Sequence, residues 1–265
     1  MDRSFRRSRR RNSEEKASEE IVLTAEPPAS IPAAISFLQE GEIIAAEPIA
    51  WGSNYSFAVA LRRGEERRLA VYKPRRGEVP LWDFPDGTLY RREYASFLVT
   101  QALGWGFIPP TIIRDGPHGV GTVQLYVDPD PKADAESFRK TNEADLMRIV
   151  LFDIFANNAD RKTSHTLRGR DGKLWGIDHG LTFNVVSKLR TVIWDFCGEP
   201  IPGWLQAEMQ AFQNDRARTG VLRDQLGEQL DRAEVGTFFT RFERLLLHGK
   251  FPHFDPYRNV PRGFW

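Results

Sequence analysis

Two short segments, NNADRKTSH (residues 157–165) and GIDHG (residues 176–180), hold carboxylates in an arrangement suited to moving a phosphoryl group. The first sets Asp160 and Arg161 directly after a long apolar run. The second sets Asp178 between a strand-like stretch and a glycine. A metal-dependent phosphoryl-transfer site needs one carboxylate to receive or orient a hydroxyl proton and another to hold a metal on the nucleotide phosphates. Asp160 suits the first task and Asp178 the second, because Mg2+ is a hard cation that takes oxygen ligands. Upstream, Lys73 closes the alternating run LAVY and can neutralise α- and β-phosphates. Glu93 lies one expected helix further on and can hold that lysine in place. Arg161 either pairs with a carboxylate or reaches a phosphate, and Asn158 and Asp153 can fix the loop through backbone groups. In WGSNYSF, Gly52, Ser53 and Asn54 offer backbone N–H groups to phosphates. A single glycine there reads equally well as an ordinary turn.

Other chemistries have little support. The chain has no CxxC pair, no HExxH and no GxSxG, which removes the usual signatures of structural zinc, zinc proteases and serine hydrolases. The spacing of Asp160, His165, Asp178 and His179 follows no recognised transition-metal pattern. Net charge is +1, and no basic patch is interleaved with aromatics, which argues against nucleic acid as a partner. The lone Cys197 cannot form an intrachain disulfide, and it reads as a structural thiol in a reducing, cytoplasmic setting. No apolar run is long enough for a membrane span.

These residues need a frame, and 265 residues with 41% apolar content and eighteen phenylalanines can build one. Residues 1–30 read as a charged tail, basic then acidic, with no apolar stretch behind the arginines to make a secretory signal. ISFLQEGEIIAAEPIA reads as a helix and then a strand. SFAVALRR and RRLAVYKP alternate around the turn RGEE as a hairpin. In LYRREYASFLVTQALG, Tyr90, Tyr94, Phe97, Leu98 and Leu103 recur at helical spacing, with Gly104 as the stop. PPTIIRDGPHGVGTVQLYV gives two more strands. EADLMRIVLFDIFANN is a helix apolar on several faces, as a buried helix must be. KLWGIDHGLTF contributes a short strand pair with a glycine-permitted turn at Gly180, and most of the remainder is helical. The expected architecture is α+β, with a sheet-rich lobe over residues 31–127, a helical lobe over residues 128–265, and the two aspartates facing the cleft.

This constellation resembles the atypical kinases related to phosphatidylinositol 3- and 4-kinases, in particular bacterial phosphatidylinositol-kinase-like proteins of actinobacterial type. FDIFANNADR is similar to the helix and catalytic loop of that group, with Asp153, Asn158, Asp160 and Arg161 on the matching places. GIDHG resembles the metal-binding segment, VYKP the phosphate-lysine strand, and EYASFLVTQALG the helix carrying the lysine's glutamate. The match runs over residues 43–183. The resemblance implies a two-lobed, protein-kinase-like fold with ATP in the cleft. It implies Mg2+, with Mn2+ as the alternative, and a hinge at VQLYV whose backbone meets the adenine edge at Gln124, Leu125 and Val127. His165 stands where the group usually has an asparagine for a second metal, His179 replaces a phenylalanine, and the phosphate loop has one glycine. The implied activity is ATP-dependent transfer to a hydroxyl acceptor. A small molecule or protein ranks ahead of a lipid, since no membrane-binding helix or basic acceptor loop is present. AMP transfer on the same fold and a nucleotide-binding pseudokinase scaffold are the alternatives.

Overall fold

The computed structural model describes residues 28–50, 54–133 and 142–261. The expected Arg-rich tail, Gly52, Ser53 and the C-terminal Phe264 and Trp265 lie outside them. The chain enters through helix α1 (Ile31–Glu40). Ser30 caps it by accepting from the Ala33 N–H, and Gly41 ends it with its N–H on the Phe37 carbonyl. Five antiparallel strands follow, β1 (Glu42–Pro48), β2 (Phe57–Arg63), β3 (Glu66–Pro74), β4 (Thr111–Gly116) and β5 (Gly119–Leu125), in the order β1-β2-β3-β5-β4. The β2–β3 hairpin turns at Gly64, whose φ of 60° is the left-handed conformation that such tight turns require. Phe37 and Leu38 of α1 pack with Val59, Leu61, Tyr72 and Val123 of the sheet to form the core of this lobe.

Between β3 and β4 runs helix α2 (Leu89–Ala102). Its own N-cap residue, Thr88, gives no side-chain cap. Instead the carboxylate of Glu78 accepts from the Leu89 and Tyr90 N–H groups (3.1 and 2.8 Å), which satisfies donors at the positive end of the helix dipole. Burial nevertheless pushes the Glu78 carboxyl above its ordinary range.

The second half is helical: α3 (Glu143–Ala156), α4 (Gly203–Asn214), α5 (Arg216–Gln229) and α6 (Arg232–His248), with a small antiparallel pair β6 (Thr166–Arg168) and β7 (Leu174–Gly176). One strand of that pair therefore lies upstream of KLWGIDHGLTF, the stretch from which both were expected. α6 starts with a reciprocal capping box between Asp231 and Glu234 and stops at Gly249 in the left-handed conformation. Phe155 of α3 meets Phe152 of its own helix and Phe238 and Phe242 of α6 edge-to-face, and Phe242 in turn meets Phe212 of α4. The same core takes in Ala95, Phe97 and Val99 of α2 and Phe107 and Ile108 beyond it, so α2 belongs to both halves. A buried ion pair fixes this joint: Arg92 of α2 donates to Glu234 Oε1 (2.6 Å) and to the Thr182 carbonyl (2.7 Å).

Candidate active site

A cavity of about 330 Å³ lies between the halves. Lys73 enters it from the end of β3. Its Nζ bonds Glu93 Oε1 of α2 and Asp178 Oδ1, the latter at 2.8 Å. One ammonium thus ties the sheet, α2 and the loop after β7 together. Burial alone would draw the Lys73 ammonium down, but the Asp178 and Glu93 carboxylates outweigh it and hold the group above the ordinary lysine range. Asp178 is held well below the usual carboxylate range, chiefly by Lys73. Glu93 is pushed up by burial, with Lys73 opposing. Because Asp178 titrates lower in the folded chain than in the unfolded one, the stability it contributes is present above pH 4 and lost as pH falls further. Thermal melts below pH 4 should therefore steepen more in the wild type than in Asp178→Asn. Equal slopes would argue against the pairing.

Asp178 has φ = 60°, a conformation that β-carbon-bearing residues adopt rarely and usually at sites where function requires it. The sharp turn that the sequence assigns to Gly180 is thus made by the aspartate itself. The aspartate side chain is half exposed toward the cavity. His165 Nε2 lies 3.3 Å from Asp178 Oδ2, and burial draws the imidazole below its ordinary range, with Asp178 opposing. Its Nδ1 has no hydrogen-bond partner among the described residues.

Asp160 lines the same cavity. Helix α3 ends at Asn157 in the left-handed conformation, with its side chain donating to the Asn184 and Val186 carbonyls. Asn158 then accepts from the Asp160 N–H (3.0 Å) and donates to Asp153 (2.8 Å). Among the described residues the Asp160 carboxylate pairs only with Lys162 (2.8 Å), whose place two residues on in DRK gave no sign of the pairing.

Arg161, expected among the catalytic residues, does not reach the cavity. It is fully buried and bidentate on Asp153 (both contacts 2.8 Å). It also donates to the His165 carbonyl and contacts His179 Nε2 (2.8 Å). Of the two roles the sequence left open, pairing with a carboxylate is the one it fills. His179 is buried against Phe152 and Phe107, and burial holds its imidazole well below the ordinary range.

At the hinge, Gln124 is part of the sheet. Its register partners are Val71 and Thr111, and its side-chain amide donates to Thr111 Oγ1 (2.8 Å). It walls the cavity, and its backbone lies within the ladder, so the expected adenine contact there does not hold. Leu125 and Val127 differ. The Leu125 N–H donates to the Pro110 carbonyl (2.8 Å), and proline has no N–H to return to the Leu125 carbonyl. The Val127 N–H makes no hydrogen bond among the described residues. Asn54, the described part of the expected phosphate loop, accepts from the Val79 N–H (2.8 Å) at the cavity rim.

A strap of residues 75–88 crosses the cleft mouth. Asp83 meets Lys188 Nζ (2.8 Å), and the Asp83 carbonyl accepts from Asn184 (2.7 Å). Glu78, Arg92 and this latch went unread in the sequence, because each pairs with groups that no local spacing announces.

The architecture is that of a kinase-like protein. The crystal structure of the Golgi casein kinase with Mn/ADP bound superposes with a TM-score of 0.51 at 14% identity, over 82% of this chain and 75% of that one. The Helicobacter pylori proinflammatory kinase CtkA superposes with a TM-score of 0.50 at 10% identity, over 80% of this chain and 93% of that one. No family profile matches the sequence. Protein Rv2133c of Mycobacterium tuberculosis (strain H37Rv) is 35% identical over 259 residues, spanning 84% of this chain and 92% of that one, and the chain belongs to its family. Among the described residues, no helix is long and apolar enough to cross a membrane.

Proposed function

We propose that the protein is an ATP-dependent phosphotransferase of the atypical-kinase class, acting on a hydroxyl acceptor that is a small molecule or a protein. The observation that carries this reading is the Lys73 bridge between Glu93 and Asp178 in a cavity that Asp160 also faces. Apolar side chains from the first half (Ile49 just past β1, Val71 of β3) and from the other half (Leu167, Ile177) offer the adenine a slot, with the Leu125 carbonyl and Val127 N–H at its edge. Lys73 holds the α- and β-phosphates and Glu93 positions Lys73. Asp160 orients the acceptor hydroxyl and takes its proton as the oxygen bonds to the γ-phosphorus and the bond to ADP breaks. Lys162, already on Asp160, would meet charge on the transferred group if that pair opens toward the cavity.

No cluster of three or more acidic, histidine or cysteine side chains among the described residues is arranged to hold a metal. That fits Mg2+, which is commonly held by one or two carboxylates together with substrate phosphates and waters. Asp178 supplies the oxygen donor, with His165 beside it; an imidazole suits Mn2+ better than Mg2+. The metal would neutralise charge on the phosphates.

Calorimetric titration of Mg2+·ATP and Mn2+·ATP tests the reading. The wild type should bind in a metal-dependent way and Asp178→Ala should not. Absence of binding to the wild type with either metal would remove the proposal. Label on the γ-phosphate passing to product, with α-label left behind, separates phosphoryl from AMP transfer.

A further inference from the structure

In the helical half, another cavity of about 470 Å³ opens between α6 and the segment that follows it, with Ile154 and Gly198 also in its lining. Five of its lining side chains are basic: Arg241, Arg244, His248, Lys250 and His253. No aspartate or glutamate lines it. Arg241, Arg244 and His248 stand at i, i+3 and i+7, so they share one face of α6. The negative end of the helix dipole favours cations and accounts for Arg244 and His248. It does not account for Lys250 and His253, which lie beyond the helix and close the same cavity.

Among the described residues, the side chains of Arg244, His248, Lys250 and His253 make no ion pair or hydrogen bond. Arg241 is anchored differently. Its Nη2 donates to the Asn184 and Val185 carbonyls (2.8 and 2.7 Å), while its Nη1 is buried with no acceptor among the described residues. Burial draws this guanidinium below its ordinary range, with no carboxylate to oppose the effect. Arg244, His248, Lys250 and His253 are exposed to water, and basic side chains of one sign around a concave surface create a positive potential that attracts anions.

We propose that this cavity binds a small phosphate-bearing metabolite through Arg244 and Lys250, with Arg241 adding positive charge from the wall. Convergent guanidinium and ammonium donors match the several oxygens of a dianionic phosphate better than the two of a carboxylate. The volume exceeds that of a bare ion and lies in the range of small-molecule sites. Arg241 holds the carbonyls of Asn184 and Val185, and Asn184 also accepts from Asn157 at the end of α3. The occupied site would therefore brace the segment that follows the Asp178 loop.

The test uses the full chain carrying Lys73→Met, which disables phosphate binding in the cleft and separates this proposal from the phosphotransfer reading. Thermal shift and calorimetry are run with inorganic phosphate and with glycerol 3-phosphate, against chloride and acetate at equal ionic strength. Saturable binding of both phosphates is expected, with glycerol 3-phosphate at least as tight. The double variant Arg244→Glu/Lys250→Glu alters only exposed side chains and should weaken binding at least about tenfold. Acetate matching phosphate, or phosphate binding unchanged in the double variant, would overturn the site. Binding of inorganic phosphate alone would overturn the metabolite.

Discussion

Replacing Asp160 with alanine should lower phosphoryl transfer by about 10²–10⁴-fold, the range typical for removal of a positioned general base, while nucleotide binding and fold survive. The expectation rests on how little else Asp160 does. Among the described residues its carboxylate has a single partner, Lys162, and the loop is held by Asn158 and by the Arg161–Asp153 pair, which the substitution leaves alone. The variant should therefore melt close to the wild type and bind Mg2+·ATP in calorimetry. Single-turnover measurements with labelled ATP would read the chemical step. Turnover close to wild type would remove Asp160 from the chemistry. Loss of binding in step with loss of turnover would make it a structural residue.

Arg161→Ala should act on stability first. Both members of the Arg161–Asp153 pair are essentially excluded from solvent, and the arginine also serves the His165 carbonyl and His179. Deleting one partner leaves a buried carboxylate without its cation, a change that costs about 3–5 kcal/mol. For a chain of this size that corresponds to a fall of about 6–20 °C in melting temperature. The double variant Arg161→Met/Asp153→Leu should recover part of the loss, because it removes the stranded charge. Differential scanning calorimetry of the three variants decides the matter. A single variant that melts like the wild type would mean the pair contributes nothing net.

Much of the frame was legible because it is built from local patterns. The β2–β3 hairpin shows in the alternation of SFAVALRR and RRLAVYKP. Helix α2 shows in the recurrence of Tyr90, Tyr94, Phe97 and Leu98. Helix α3 shows in its apolar run. β6 and β7, three residues each, are too short to display an alternation, which is why one of them was misplaced. The candidate site was legible as residue types and order but not as contacts. Arg161 looked available for phosphate because its partner Asp153 lies eight residues back, in the last turn of α3, and the pairing depends on how the loop between them folds. The turn at GIDHG looked like work for Gly180, yet the left-handed residue is Asp178, and a sequence gives no sign of strain borne by a side-chain-bearing residue. Glu78 as the cap of α2 was invisible for the same reason, since eleven residues separate it from the first N–H it accepts.

The strap held by Asp83 to Lys188 and Asn184 bears on kinetics. α2 is fixed to α6 through Arg92 and Glu234, and the strap is fastened beside that joint, where Phe84 stacks on Arg92, so two neighbouring ties hold the halves together. A wide jaw-like opening requires release of the Asp83 clasp, whose charges are mostly shielded from solvent and so only weakly loosened by salt. In the phosphotransferase proposed above, exchange of spent nucleotide for fresh would wait on that unfastening.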